Sequence, residues 1–206
     1  MVRKSGPASI YETYLEVVCP LVTTYEVLTG EYPVPIANEI RAIFTHLARC
    51  NRSESSVSYR QKESRNARRH LQRVLRDCFK YVCIAYDDAY KDFSRLYCRV
   101  DLTTVDNGNF LPELSAAYAK ARNSFIAARH EECAIRDDLK VLNLYQDAMI
   151  AYEKVYNLIS GKNLEKFVRL KRRRFWSEVI KTFFALIGVA ASIITIFQFI
   201  IGQVQA

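Results

Sequence analysis

Apolar residues recur every three or four positions along most of this chain, which is the spacing of one face of an α-helix. The predicted helices cover residues 9–29, 36–49, 57–98, 113–133 and 135–160. The first pattern stops at Gly30, a residue that commonly ends helices, and the clearest loop is Asp101–Pro112. These patterns predict an all-α fold, an antiparallel helical bundle.

The C-terminal end of the chain has a different pattern. From Thr182 to Ala206 there is no charged residue, and residues 182–202 are almost continuously apolar. As a helix this stretch is about 30 Å long, the thickness of a bilayer core. A buried core helix is the alternative, but it would need a protein shell on all of its faces. We therefore predict one C-terminal transmembrane helix, joined to the bundle by a helical stalk that starts near Asn163.

The distribution of charge around this segment predicts its orientation. Lys171–Arg174 and Lys181 directly precede it, and no charge follows it. The positive-inside bias then places the N-terminal domain in the cytoplasm and makes the chain a single-pass protein of the inner (cytoplasmic) membrane. The predicted organisation is a cytoplasmic helical domain (1–160), a basic juxtamembrane helix (161–181) and the transmembrane helix (182–202).

The net charge of +8 is concentrated in two basic blocks. Residues 161–181 carry eight basic and two acidic side chains, and such a juxtamembrane segment is attracted to anionic membrane lipid. Residues 60–80 carry eight basic side chains against Glu63 and Asp77, far from the membrane segment. This block predicts either a solvated face or an anionic partner, an RNA or a ribonucleoprotein.

The cysteines and histidines give no indication of a metal. The six cysteines have no Cys-x-x-Cys spacing, and there are only three histidines. We expect no metal site and no cofactor.

One polar stripe on the third predicted helix is a candidate site. Its members recur in steps of three and four residues, so they share a helix face: Asn66, His70, Arg73, Asp77 and Lys80. The stripe borders the apolar face, so His70 and Asp77 should be at least partly buried, and the stripe should find hydrogen-bond partners. Their partner could be another helix, a ligand or a neighbouring subunit, and a network that only fixes the helix register is an open alternative.

Two segments carry a resemblance to a known family. Pro35-Ile-Ala-Asn-Glu-Ile-Arg-Ala-Ile-Phe-Thr-His46 resembles a motif helix of bacterial HEPN-like proteins, and Asn66–Lys80 resembles its companion helix. A small domain of this kind with one membrane helix is similar to accessory membrane proteins of type VI-B CRISPR systems. The resemblance implies metal-independent RNA cleavage at a dimer interface, with the catalytic residues Arg41, His46, Arg65 and His70.

Two features count against that chemistry. Ala42 stands where the family has a polar residue after the motif arginine. On one helix Arg41 also points about 140° away from His46, so the two could cooperate only with help from a second helix or subunit. The Ala42 departure favours a non-enzymatic role, although Arg65-Asn66-x-x-x-His70 retains the polar residue.

Small and polar residues line one side of the predicted membrane helix. They are Ala185, Gly188, Ser192, Thr195 and Gln198. Such a seam lets helices approach closely and hydrogen-bond, which predicts a homo-oligomer; the alternative is a lone anchor.

The leading hypothesis is a membrane-anchored bacterial antiviral defence effector. It oligomerises through its helical domain and membrane helix, and it perturbs or permeabilises the membrane. The alternatives are a membrane-tethered HEPN ribonuclease and a non-enzymatic membrane scaffold.

Overall fold

The structure, a computed structural model, describes residues 7–52, 56–134, 138–161 and 163–204, and only the backbone of residues 7, 8, 138 and 194–204. The helices are α1 (Pro7–Thr13), α2 (Cys19–Thr29), α3 (Val34–Cys50), α4 (Val57–Tyr97), α5 (Phe110–Ala134), α6 (Asp138–Ser160) and α7 (Leu164–Val204), with a π-helical turn (Tyr14–Val18) and a 3-10 turn (Val105–Gly108). The described ranges contain no strand, so the all-α prediction is confirmed.

Helices α1 and α2 form one helical rod, with the π-helical turn between them. The π-helical turn between α1 and α2 ends just before Pro20, which has no N–H to continue the regular ladder. The rod ends at Gly30, whose φ of 73° lies in the left-handed region that glycine adopts without strain. Its N–H donates to the Glu26 carbonyl at 2.8 Å. This is the helix end that the sequence predicted.

Helix α4 is the element against which α2, α3 and α6 all pack. Ser56 caps its N-terminus by accepting a hydrogen bond from the Tyr59 N–H. Its buried apolar positions recur at helical spacing, among them Ala67, Leu71, Val74, Cys78 and Val82. The single pattern predicted over 57–98 is thus one helix of 41 residues.

The bundle consists of two hairpins. Helices α5 and α6 are antiparallel, since Tyr118 contacts Tyr152 while Phe125 contacts Tyr145. Helices α4 and α6 run in the same direction, because Cys83 bonds to the Tyr145 carbonyl and Asp87 accepts from the Tyr152 hydroxyl. The predicted antiparallel arrangement therefore holds within the α5–α6 hairpin and the α3–α4 hairpin, and the two hairpins join through a parallel pair.

The loop predicted over Asp101–Pro112 is shorter than expected. Helix α5 begins at Phe110, whose ring is buried against Phe93 and Phe167. Pro112 lies in the first turn, where no backbone N–H is needed. The proline that signalled a loop is therefore compatible with the start of a helix.

Helix α7 is continuous from the bundle to the C-terminal apolar segment. It has 41 residues and is about 60 Å long. Phe167 is fully buried, whereas from Lys171 to Ile193 every residue is exposed. By length and composition Leu164–Ile193 can cross a membrane, and none of its apolar window is buried in the bundle. Within one copy of the chain that window is therefore not part of the core.

Candidate functional site

Two histidines and two glutamates cross-pair between α3 and α4. Nδ1 of His46 lies 2.8 Å from Oε2 of Glu63, and Nδ1 of His70 lies 2.6 Å from Oε2 of Glu39. The two imidazole rings stack with centroids 5.2 Å apart and planes 23° from parallel. We call these four residues the His–Glu quartet.

The spacing of the quartet explains its symmetry. Glu39 precedes His46 by seven residues on α3, and Glu63 precedes His70 by seven residues on α4. Seven residues are two helical turns, so each pair shares a face. Because α3 and α4 are antiparallel, the glutamate of each helix meets the histidine of the other.

The quartet is only partly accessible to water. The exposed fractions of the side chains are 16% for His46, 6% for Glu63, 22% for His70 and 30% for Glu39. A carboxylate oxygen accepts hydrogen bonds, so each Nδ1 donates to its glutamate. The two glutamates thereby orient both rings.

The predicted arginines do not join the quartet. Arg41, Arg65 and Arg73 are exposed, and their guanidinium groups form no ion pair with any residue in the described ranges. Asn66 is half-buried. The structure therefore brings together the two predicted histidines and leaves the arginines in solvent.

The C-terminal half of the polar stripe belongs to a second network. Its centre is Glu132 of α5, which accepts from Lys80 Nζ at 2.8 Å and from the Tyr145 hydroxyl at 2.6 Å. Arg129 also donates to it at 2.9 Å, and Arg76 Nε lies 3.3 Å away. Glu132 thus connects α4 with α5 and α6.

Asp77 lies at the edge of this second network and not in the quartet. It is 3.6 Å from Lys80 Nζ and 3.9 Å from Arg76 Nε, and it is half-buried, as is His70. The partial burial predicted for His70 and Asp77 is observed. The two residues belong to different networks, because His70 faces α3 and Asp77 lies two turns further along α4.

The electrostatics of the second network favour the charged form of Glu132. Burial alone would raise the pKa of Glu132, but hydrogen bonds from Lys80 and Tyr145 outweigh it, and the pKa is lowered. Burial and the bond to Glu132 raise the pKa of Tyr145, so its hydroxyl stays protonated and donates. The ammonium group of Lys80 also lies 5.6 Å from the centre of the Tyr145 ring.

Six members of these networks were not predicted as site residues: Glu39, Glu63, Arg76, Arg129, Glu132 and Tyr145. The repeated Glu-x6-His spacing on two consecutive helices was a usable signal for Glu63. Nothing comparable marks Glu132, because its partners come from α4 and α6, far away in sequence.

The base of α7 is held by the loop before α5. Asp106 accepts from Asn163 Nδ2 and from Lys166 Nζ, each at 3.1 Å. Phe167 packs against Phe93, with ring centroids 5.1 Å apart. The first turns of the segment predicted as a juxtamembrane helix are therefore part of the bundle core.

The predicted membrane seam lies on the exposed part of α7. Ala185, Gly188 and Ser192 are exposed, and Ser192 Oγ donates to the Gly188 carbonyl at 2.9 Å. A methyl group added to Gly188 would meet no atom within 4 Å. Thr195 and Gln198 lie in the helix but outside the residues whose side chains are described.

No group of three or more His, Cys, Asp or Glu side chains in the described ranges is arranged to hold a metal ion. Comparison of the chain with family models, curated proteins and solved structures gives no match. Its function has to be inferred from its own geometry.

Proposed function

We propose that this chain is a single-pass membrane effector. Its helical bundle lies on the cytoplasmic side of the inner membrane, and α7 carries the chain into the bilayer. Copies assemble through the bundle and α7, and the assembly perturbs or permeabilises the membrane. The resemblance to HEPN-like proteins of defence loci supports bacterial antiviral defence as the setting.

The observation that carries this proposal is the continuity of α7. One end of this single helix is fixed in the core by Phe167, Asn163 and Lys166, and the other end is a fully exposed apolar segment. A flexible tether would need a break between the two parts, and the described backbone of α7 has none. A rearrangement of the bundle would therefore be transmitted to the membrane segment.

The surface of α7 supports assembly in the bilayer. Gly188 leaves open space beside the helix axis, and Ser192 satisfies its hydroxyl within its own helix. A second helix can approach this side closely without stranding a polar group.

The basic residues Lys171–Arg174 and the aromatic pair Phe175 and Trp176 lie just before the apolar segment, all exposed. This arrangement suits a cytoplasmic interface with anionic lipid.

The proposal is tested by expressing the full chain in bacteria at matched levels with a chain that ends at Arg174. The full chain should stay with membranes through a carbonate wash and admit a normally excluded dye, and the shorter chain should do neither. Full-chain release by carbonate would contradict the membrane assignment. Retention without dye entry would instead support the scaffold hypothesis.

The His–Glu quartet favours one second candidate, a membrane-tethered ribonuclease. Two adjacent imidazoles, each oriented by a carboxylate, could serve as acid and base, one ring carrying the proton that is donated and the other accepting one. Arg41 and Arg65 are exposed and form no ion pair or hydrogen bond with the quartet among the described residues. Cleavage of single-stranded RNA without metal, lost in His46→Ala and His70→Ala, would establish this candidate.

A further inference from the structure

The basic side chains of α4 include a paired group towards its C-terminus and a group in its N-terminal half that forms no ion pair among the described residues. In the C-terminal half, Lys91 pairs with Asp87 and Asp88, and Arg95 pairs with Asp92. In the N-terminal half four basic side chains are exposed and form no ion pair within the described ranges: Lys62, Arg65, Arg69 and Arg73. We call these four residues the arginine stripe.

The two glutamates of the His–Glu quartet are engaged by histidines and not by the arginine stripe. Glu63 lies on the same helix, but its carboxylate is buried against His46. Glu39 lies on the neighbouring helix, and its carboxylate is bonded to His70. Both carboxylates are thus engaged by imidazoles, and among the described residues the arginine stripe forms no ion pair.

The stripe is straight and follows one side of α4. Its members are separated by three, four and four residues, so they lie within one narrow sector and span about 16 Å. Helix α3 adds two more exposed arginines at the same end of the bundle, Arg41 and Arg49. An extended row suits an extended ligand better than a single anion.

The position of the stripe separates it from the membrane segment. Phe167 contacts both Phe93 and Tyr97, and Lys171, one turn further, lies over Tyr97 at the end of α4. Helix α7 therefore leaves the bundle at the C-terminal end of α4. Arg73 lies about 36 Å back along α4 from Tyr97, and Lys62 lies further still. A lipid surface at α7 would be out of reach of the stripe.

We propose that the arginine stripe binds the phosphate backbone of a polynucleotide, without reading its sequence. Three of its four members are arginines, whose planar fork matches phosphate oxygens, and a duplex presents about one charge per 1.7 Å of axis. A polynucleotide would be the ligand of the bundle in the proposed membrane effector. This inference rests on the proposed function only for the position of the membrane.

The test uses the full chain in a detergent with uncharged headgroups, so that binding is measured apart from membrane permeability. Fluorescent RNA and DNA, single-stranded and duplex, are titrated at several salt concentrations. The triple variant Arg65→Gln, Arg69→Gln, Arg73→Gln should bind at least about tenfold more weakly than the wild type, and its salt dependence should fall by about two to three counterions.

The matched control is Lys91→Gln with Arg95→Gln, which removes exposed basic residues from the same helix. This variant should bind within about twofold of the wild type, because its charges are already paired with acids. Circular dichroism checks that both variants remain helical.

The proposal is overturned if the wild type binds no polynucleotide, or if the triple variant and the control bind alike. Equal affinity for polyglutamate would overturn it too, since the surface would then fit an acidic protein. If the triple variant loses polynucleotide binding as expected but bacteria that express the full chain never admit dye, only the proposed effector function is contradicted.

Discussion

The imidazole rings of His46 and His70 stack against each other across the α3–α4 interface, although 24 positions separate the two residues in sequence. Each ring is hydrogen-bonded through Nδ1 to a glutamate of the opposite helix. The four side chains thus fix the register of α3 against α4. They also engage two carboxylates, and among the described residues the arginine stripe forms no ion pair.

The first prediction concerns which side chains are coupled. In a double-mutant cycle of His70→Ala and Glu39→Ala, the coupling energy should be about 1 kcal/mol, because either change alone breaks the same hydrogen bond. The cycle of His70→Ala and Asp77→Ala should be additive, since these residues belong to different networks. Urea unfolding of a chain ending at Arg174 measures both. Coupling between His70 and Asp77 equal to that between His70 and Glu39 would contradict the separation of the networks.

The second prediction concerns Glu132 as the hub between α4, α5 and α6. Glu132→Gln should lower the free energy of unfolding by about 2 kcal/mol, because Lys80 and Arg76 lose their shared counter-charge. Asp92→Asn is the control: it breaks the exposed pair with Arg95 and should cost under about 1 kcal/mol. Chemical denaturation of the chain ending at Arg174 compares the two.

Acidification supplies a further check on Glu132. Its pKa is lowered below the ordinary value of 4.5, so its stabilising contribution is present above that value and is lost as the pH falls towards the folded-state pKa. The stability difference between the wild type and Glu132→Gln should therefore shrink in acid. A difference independent of pH would mean that the charge of Glu132 is unimportant.

The third prediction concerns the cysteines. Burial, with a smaller effect from neighbouring carboxylates, raises the pKa of Cys78 and of Cys83 to about 12, whereas Cys98 and Cys133 are exposed. At pH 8 a thiol reagent should label Cys98 and Cys133 quickly and should label Cys78 and Cys83 only on unfolding. Peptide mapping by mass spectrometry reads out the sites. Rapid native labelling of Cys83 would show that the α4–α6 contact is open.

The fourth prediction concerns where the bundle ends. A chain ending at Arg174 keeps Asn163 and Phe167 and should be monodisperse and cooperatively folded without detergent. A chain ending at Ser160 lacks both and should be less stable by about 3 kcal/mol, because it leaves an aromatic-sized cavity beside Phe93. Thermal unfolding followed by circular dichroism compares them. Equal midpoints would show that the base of α7 contributes nothing to the core.

Much of the fold followed from the pattern of apolar residues. The ends at Gly30 and near Tyr97, and the single long α4, are local properties that glycine and helical periodicity specify. The start of α5 at Phe110 did not follow, because the burial of that ring depends on Phe93 and Phe167, which are distant in sequence.

The candidate site was only partly predictable for the same reason. The shared face of His70 and Lys80 is a property of one helix, but their partners Glu39 and Glu132 depend on which helices pack together. Likewise, the pairing of Asp106 with Asn163 requires the loop and the base of α7 to meet. Periodicity describes faces of single helices and does not specify which face meets which.

The central claim is that copies of this chain assemble through α7 and permeabilise a membrane. The direct measurement is dye release from liposomes that contain the full chain, compared between Gly188→Leu and Ile193→Leu at equal incorporation. Leucine at Gly188 fills the open side of the helix and should abolish release, whereas Ile193→Leu changes only the shape of an exposed apolar side chain and should leave release unchanged. Equal release from the two variants, or no release from the wild type, would contradict the claim.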